Sequence, residues 1–393
     1  MTFTELSVIC LVALAGPLLA LRQGWHLPVV LGELLAGVAL GNTGFKYLDP
    51  GNPTFTYLAD AGFALVMFVA GTHVPVRNPA LRPALRTGLL RAVGVGVVAT
   101  GLGYLLAAVF DLHHAPLYAV LMASSSAALI LPIVDSLGLG GDEVIGLLPQ
   151  IAIADSVCIV ALPLVIDPSH AGRAALGAVT VIAAAAVAFV VLRYVERSGI
   201  RARVHKVSED RRFAVELRVQ LVILFALAGL AVRMHVSIML AGFAFGLVVA
   251  SIGEPRRLAK QLFAVTEGFL GPVFFVWLGA TLQLRELGSH PRLILLGLCL
   301  GIGASLAHLA IRLTKQPVPL GLLATAQLGV PVAAATIGQQ LGVLVPGEAS
   351  ALMLGALVSI AIAVVGGSLA VNSGLVATKT PAVAASAKER ADG

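Results

Sequence analysis

Hydrophobic residues run in long blocks along the chain, separated by short polar, charged or Pro/Gly-rich breaks. A bilayer-crossing helix takes about 20 predominantly apolar residues, and thirteen blocks meet that requirement. They span 4–22, 27–46, 57–74, 85–110, 115–138, 143–166, 172–195, 213–232, 235–252, 262–284, 291–313, 317–343 and 347–371. The pattern predicts an all-α polytopic membrane protein. The first block lacks a basic flank and a small-residue cleavage site before the next one, so it is expected to remain as a helix and not to act as a signal peptide.

Composition strengthens this picture. Of the 393 residues 58% are hydrophobic and 12% charged, and the mean hydropathy is +0.97, far from the balance of a soluble domain. The net charge of +6 is explained by where the charges sit: twenty of the 26 Lys and Arg residues fall on the side that includes Arg22, five on the other, and Arg218 lies within a block. This is the positive-inside asymmetry of an odd number of helices, with the N-terminus outside and the C-terminus in the cytoplasm. A cell-membrane location is expected, and no nucleic-acid partner. Cys10, Cys158 and Cys299 lie inside blocks, too scattered for disulfides or a metal site. No cofactor is expected. The Ala-, Thr-, Lys- and Ser-rich stretch 372–393 is expected to be a short disordered tail.

An internal repeat sets the architecture. The segment "LLAGVALG" at 34–41 returns as "MLAGFAFG" at 239–246, matching Gly37 to Gly242. The segment "MFVAGTHVPV" at 67–76 resembles "FVWLGATLQL" at 275–284, matching Gly71 to Gly279 at nearly the same offset. A shift of seven helices reverses direction across the membrane, so the repeat is of inverted topology. Residues 1–166 form the first six-helix repeat, 167–212 a linker helix and basic loop, and 213–371 the inverted second repeat. Such proteins place their site near the midplane, where interrupted helices meet.

Two interruptions are predicted at corresponding positions. In the fifth block Ser124, Ser125 and Ser126 precede Pro132, supplying hydroxyls that compete for backbone hydrogen bonds and a residue without a donor. In the twelfth, Gly329 and Pro331 break the pattern. The two broken helices are expected to cross, since unwound backbone at membrane depth needs protein or water around it.

Asp155 stands in the middle of the sixth block, "IAIADSVCIVALPL" at 151–164. A carboxylate there costs at least about 2.5 kcal/mol and needs a partner, a wet cavity or a proton. Proton and cation compete for such a group, which is what an exchanger requires; the alternative is a protonated Asp, or one that caps broken backbone. Its repeat counterpart, near Ser359, is not acidic. Glu33 and His308 are weaker pathway candidates: each is equally explained by a structural partner on a neighbouring helix. Asp60, Glu267 and Arg91 fall near predicted helix ends, where solvation is the default.

With these residues in place, the chain resembles the monovalent cation:proton antiporter superfamily, in its second branch of bacterial sodium/proton and potassium/proton exchangers. The stretches that carry the resemblance are "LPVVLGELLAGVALGN" at 27–42, "FALVMFVAGTHVPV" at 63–76, "SSSAALILPIVDSLGL" at 124–139, "IAIADSVCIVALPL" at 151–164, "HVSIMLAGFAFGLVVA" at 235–250 and "PVFFVWLGATLQL" at 272–284. The resemblance implies a thirteen-helix homodimer with a scaffold and a moving core. It implies that Asp155 binds the monovalent cation or a proton, with Ser125 and Ser126 matching a Ser-Thr pair on the first broken helix. The chain departs from the family pattern in three places: Ala154 precedes the key Asp, Ala304 and Ser305 stand where many members have Lys, and Val330 follows Gly329 in place of Glu. By the resemblance, the missing Lys implies electroneutral exchange, altered ions or a relative that no longer transports.

The expected function is exchange of Na⁺ or K⁺ for protons by alternating access, not enzymatic catalysis. A sodium-coupled organic-anion symporter of the same fold and a non-transporting membrane sensor are the alternatives. An intramembrane enzyme would need a second catalytic partner near Asp155, and the sequence offers none in suitable order.

Overall fold

The computed structural model describes residues 1–21, 29–73, 81–199, 213–234, 236–253, 256–282, 284–289 and 291–376. Much of the predicted basic loop and most of the predicted tail, residues 200–212 and 377–393, lie outside the described residues, as do the side chains of His73 and Pro132.

The described residues form helices and no strand. In chain order these are α1 (Phe3–Ala13), α2 (Ala15–Ala20), α3 (Val29–Leu40), α4 (Pro53–His73), α5 (Leu81–Phe110), α6 (Ala115–Ala123), α7 (Ala127–Ser136), α8 (Asp142–Ile166) and α9 (Ala171–Arg197). The second half contributes α10 (Val215–Arg233), α11 (Ile238–Ile252), α12 (Arg256–Val265), α13 (Gly271–Thr281), α14 (Leu284–Ser289), α15 (Pro291–Ala310), α16 (Val318–Leu323), α17 (Gly329–Leu341) and α18 (Glu348–Asn372). Every predicted block meets a helix. Nine helical stretches among the described residues are long and apolar enough to cross a membrane, α3 and α11 are shorter apolar helices, and the fifth and twelfth blocks are the broken pairs α6/α7 and α16/α17. Local chemistry fixes several helix starts. Thr2 accepts from the Glu5 amide while Glu5 reaches back to the Thr2 amide, and the Ser237 hydroxyl accepts from the amide of Met239 to open α11.

The helices pack as two bundles, each drawn from both halves of the sequence. One is built from α1 to α4 with α9 to α13, the other from α5 to α8 with α15 to α18. The main contacts between them are α8 with α9 and α11, and α4 with α7; the short α14 packs on α15 and α18 of the second bundle. The pairings have the symmetry a two-fold repeat demands. Helix α3 packs on α13 as α11 packs on α4, and α5 packs on α8 as α15 packs on α18.

Glycine makes the first bundle's seams. A Cβ on Gly37 would collide with the Val276 carbonyl and lie 2.9 Å from the Gly279 Cα; one on Gly71 would lie 2.5 Å from the Phe243 carbonyl and 2.8 Å from the Gly246 Cα. Gly37 and Gly242, or Gly71 and Gly279, match in sequence but do not touch: each packs on the other pair's helix, as symmetry-related positions must. Close backbone approach is the usual reason for small residues between membrane helices, where lipid leaves little hydrophobic drive for packing.

Candidate functional site

Two breaks meet at the centre of the second bundle. Helix α6 ends at Ala123, Ser124 turns into extended backbone, and α7 starts at Ala127. Helix α16 ends at Leu323, and α17 starts at Gly329. The second break is therefore made by residues 324–328, not by Gly329 and Pro331 as the sequence predicts. Both fall in the first turn of α17, where the missing N–H of Pro331 would have had no intrahelical partner in any case. Pro132 likewise lies inside α7, beyond its break. Gly329 touches the other bundle: a Cβ there would meet the Met239 sulfur of α11 at 3.2 Å and that of Met67 of α4 at 3.3 Å.

The breaks hold each other directly. The Ser126 amide donates to the Ala326 carbonyl at 2.7 Å. The Ser125 hydroxyl donates to the Ala324 carbonyl at 2.7 Å and lies 3.0 Å from His308 Nε2. On α15, His308 Nδ1 is 2.9 Å from the Ala304 carbonyl, which can only accept, so this nitrogen carries a proton. Ser124 turns its hydroxyl back to the Leu121 carbonyl. All three serines and His308 are buried.

Asp155 comes to this crossing from α8. It is 6% exposed, and its Oδ2 accepts from the amide of Ala127, the first residue of α7, at 3.0 Å. The carboxylate thus satisfies an orphan N–H at the positive end of a half-helix. A carboxylate has about four acceptor positions, so one such bond leaves most of its capacity unused.

The second break has its own cap. The Ser359 hydroxyl of α18 accepts from the Gln327 amide at 3.2 Å and donates to the Ala356 carbonyl at 2.7 Å. Thr325 hydrogen-bonds the Leu322 and Ser359 carbonyls. Ser359 lies one residue from the position that the 205-residue offset pairs with Asp155, so neighbouring positions of the two halves both serve a backbone amide of a break, one with a charge and one without.

Asp155, Ser124, Ser125, Ser126 and His308 are brought together, with Gly329 and Pro331 opening the adjoining half-helix. Glu33 is not among them. It is buried on α3 in the first bundle, beside Gly16 of α2 and within electrostatic reach of Glu267. Arg91, expected to be solvated, is buried instead, with Nε on the Thr314 hydroxyl at 3.0 Å. Sequence reasoning missed Thr325, Gln327 and Gln150. The Gln327 amide nitrogen and both amide atoms of Gln150 are buried without a partner among the described residues. A buried polar residue beside a predicted break was the available signal for Gln327.

Comparison with known proteins bears on this arrangement. The family model described as the transmembrane sodium/hydrogen exchanger matches residues 8–377. The chain belongs to this family. It is 23% identical over 376 residues to a putative Na⁺/H⁺ antiporter, YjbQ, of Bacillus subtilis, covering 90% of this chain and 61% of that protein. The chain thus spans about three-fifths of that relative's length. A probable Na⁺/H⁺ antiporter of Methanocaldococcus jannaschii is 25% identical over 341 residues, covering 82% and 85% of the two chains. The structure of the sodium proton antiporter MjNhaP1 from the same organism superposes with a TM-score of 0.67 at 16% identity, over 95% of this chain and 98% of that one. That likeness shows a shared antiporter fold. As a member of this family the chain is a multi-pass membrane protein.

Proposed function

We propose that the chain exchanges a monovalent cation for protons across the cell membrane, with Asp155 holding either a proton or the cation. The observation that carries this reading is the inequality of the two breaks: of the two side chains that serve a backbone amide of a break, one is a buried carboxylate and the other a neutral hydroxyl. A hydrogen-bond cap alone does not need the charge, because Ser359 performs that task without it. A buried charge at mid-membrane is costly enough to mark function.

The named activity of the relatives in Bacillus and Methanocaldococcus supports the same reading. Na⁺ and K⁺ are hard cations that take oxygen ligands. The Asp155 carboxylate, the Ser125 and Ser126 hydroxyls and the carbonyls at the ends of α6 and α16 supply them. Half-helix C-termini presenting unwound carbonyls to a cation are a recurrent device in transporters. The first bundle acts as the scaffold and the second as the moving core, and the thin contact between them is where one slides past the other. The chain works as a homodimer, with the N-terminus outside and the C-terminus in the cytoplasm, and its role is transport and not catalysis.

The test is proton movement in proteoliposomes holding a proton gradient, with Na⁺, K⁺ and Li⁺ added in turn. Dissipation by one of these cations, and none by an impermeant organic cation, is the expected result. No response to any of them would overturn the reading.

A further inference from the structure

Four serine hydroxyls of the second bundle donate back along their own segment. Ser124, Ser156, Ser305 and Ser359 each reach a carbonyl three or four residues earlier, the ordinary outlet for a hydroxyl in a helix. Ser125 does otherwise. Its Oγ has two partners, both on other elements: the Ala324 carbonyl of the second break at 2.7 Å and Nε2 of His308 on α15 at 3.0 Å.

The protons of this contact can be counted. His308 is 1% exposed, and the two carboxylates buried in this bundle among the described residues are engaged elsewhere. Asp155 holds the Ala127 amide, while Glu348 accepts from the Tyr118 hydroxyl at 2.6 Å and lies 2.8 Å from His114 Nδ1. A buried cation without a counter-charge is costly, so the imidazole of His308 is neutral. Its single N–H is spent at Nδ1 on the Ala304 carbonyl, which leaves Nε2 with a lone pair and no proton. The Ala324 carbonyl likewise only accepts. One hydroxyl proton on Ser125 therefore stands between two acceptors and serves one of them at a time.

We propose that His308 is a positioning residue for the cation: its Nε2 takes over the hydrogen bond of the Ser125 hydroxyl when a cation binds, and yields it to Ala324 when the cation leaves. This rests on the exchange reading, in which Ser125 and the carbonyl at the end of α16 are ligands. With the proton on Ala324, the two oxygens are joined to each other and a cation cannot take both. Rotation about the Ser125 Cβ–Oγ bond carries the proton to Nε2 and leaves both oxygens with lone pairs to offer. No proton changes owner, and the ring stays neutral. Both acceptors already lie within hydrogen-bond reach, so the exchange of partners asks for little movement of heavy atoms. Without Nε2, a ligating Ser125 would bury its proton with no acceptor, and that cost would weaken cation binding. The tautomer belongs to the device, because the Ala304 carbonyl holds the Nδ1 proton and so keeps the accepting nitrogen on Ser125.

The test is a cycle of variants of the full chain in proteoliposomes, read as the half-saturating concentration of Na⁺ and of K⁺ for proton movement. His308→Leu removes the acceptor and is expected to raise that concentration about fivefold, the equivalent of about 1 kcal/mol, with a smaller change in maximal flux. His308→Gln offers an amide oxygen in place of Nε2 and is expected to recover most of the loss. In a Ser125→Ala background, which has no hydroxyl to receive, His308→Leu is expected to add nothing. A histidine with only a structural role would weaken both backgrounds alike. An effect of His308→Leu that persists in full beside Ser125→Ala, or native half-saturation in His308→Leu, overturns the proposal. Should the Leu variant fail to fold, imidazole nitrogen NMR of the native chain in nanodiscs decides. Saturating Na⁺ or K⁺ is expected to move the Nε2 signal to a hydrogen-bonded position while the Nδ1 proton stays. Exchange in a chain whose Nε2 ignores both cations defeats the positioning role alone. A responsive Nε2 in a chain that moves no protons defeats the exchange reading alone.

Discussion

The two broken helices solve one structural problem with different chemistry. At each, an amide of the interrupted backbone inside the bundle needs an acceptor, at the first residue of α7 in one case and within the unwound 324–328 in the other. Asp155 of α8 serves Ala127 at the first, and Ser359 of α18 serves Gln327 at the second. The positions lie close to one another under the repeat and the hydrogen bonds are alike in role, so the capping of the breaks belongs to the fold. The charge belongs to one half only. Hydrogen bonding therefore accounts for the shape of the crossing, and the carboxylate is what remains to be accounted for by function. The two breaks also share a seam, Ser126 to Ala326 and Ser125 to Ala324, so a displacement of one is transmitted to the other.

The comparison can be broken most severely at Asp155. Asp155→Asn keeps an oxygen for the Ala127 amide but cannot exchange a proton for a cation. Cation-driven proton flux in proteoliposomes is expected to fall to that of empty vesicles, with the thermal midpoint in detergent nearly unchanged. Full activity in this variant would assign Asp155 to capping alone. Next is Ser359→Asp, which makes the breaks chemically alike. A second charge without a built shell is expected to cost at least about 2.5 kcal/mol, read as a lowered thermal midpoint. An equally stable variant that binds a second cation would show the two breaks to be interchangeable. Ser359→Ala leaves the Gln327 amide buried without its acceptor, at about 1–3 kcal/mol of stability, and is expected to affect folding before cation affinity. The smallest effect is expected from Ser125→Ala, which removes one hydroxyl from the seam. About 1 kcal/mol appears as a several-fold higher half-saturating cation concentration at unchanged maximal flux, and an unchanged half-saturation would remove Ser125 from the cation's shell.

Much of this arrangement was legible in the sequence, for a physical reason. Length and apolarity report the solvent a segment meets, so each apolar block returns as a helix or a broken pair. The first break was legible because three serines announce it. The second was misplaced by a few residues because Gly329 and Pro331 were read as breakers, whereas they sit where a helix start tolerates them; the unwound residues 324–328 carry no strong breaker of their own. The repeat identified symmetry mates and not contact partners, so Gly37 and Gly279 had to be brought together by packing. Nothing along the chain links His114 to Glu348, which lie 234 residues apart. Glu33 looked like Asp155 by composition, an acid in an apolar block, but α3 packs within the other bundle.

The most direct measurement is calorimetric titration of the purified chain with the cation that proves active, in buffers of different ionisation heat, under conditions where Asp155 is protonated at the start. The account predicts release of a proton for each cation bound by the native chain, and no specific cation binding by Asp155→Asn. Cation binding without proton release, or equal binding by the variant, would contradict the claim that one carboxylate holds either a proton or a cation.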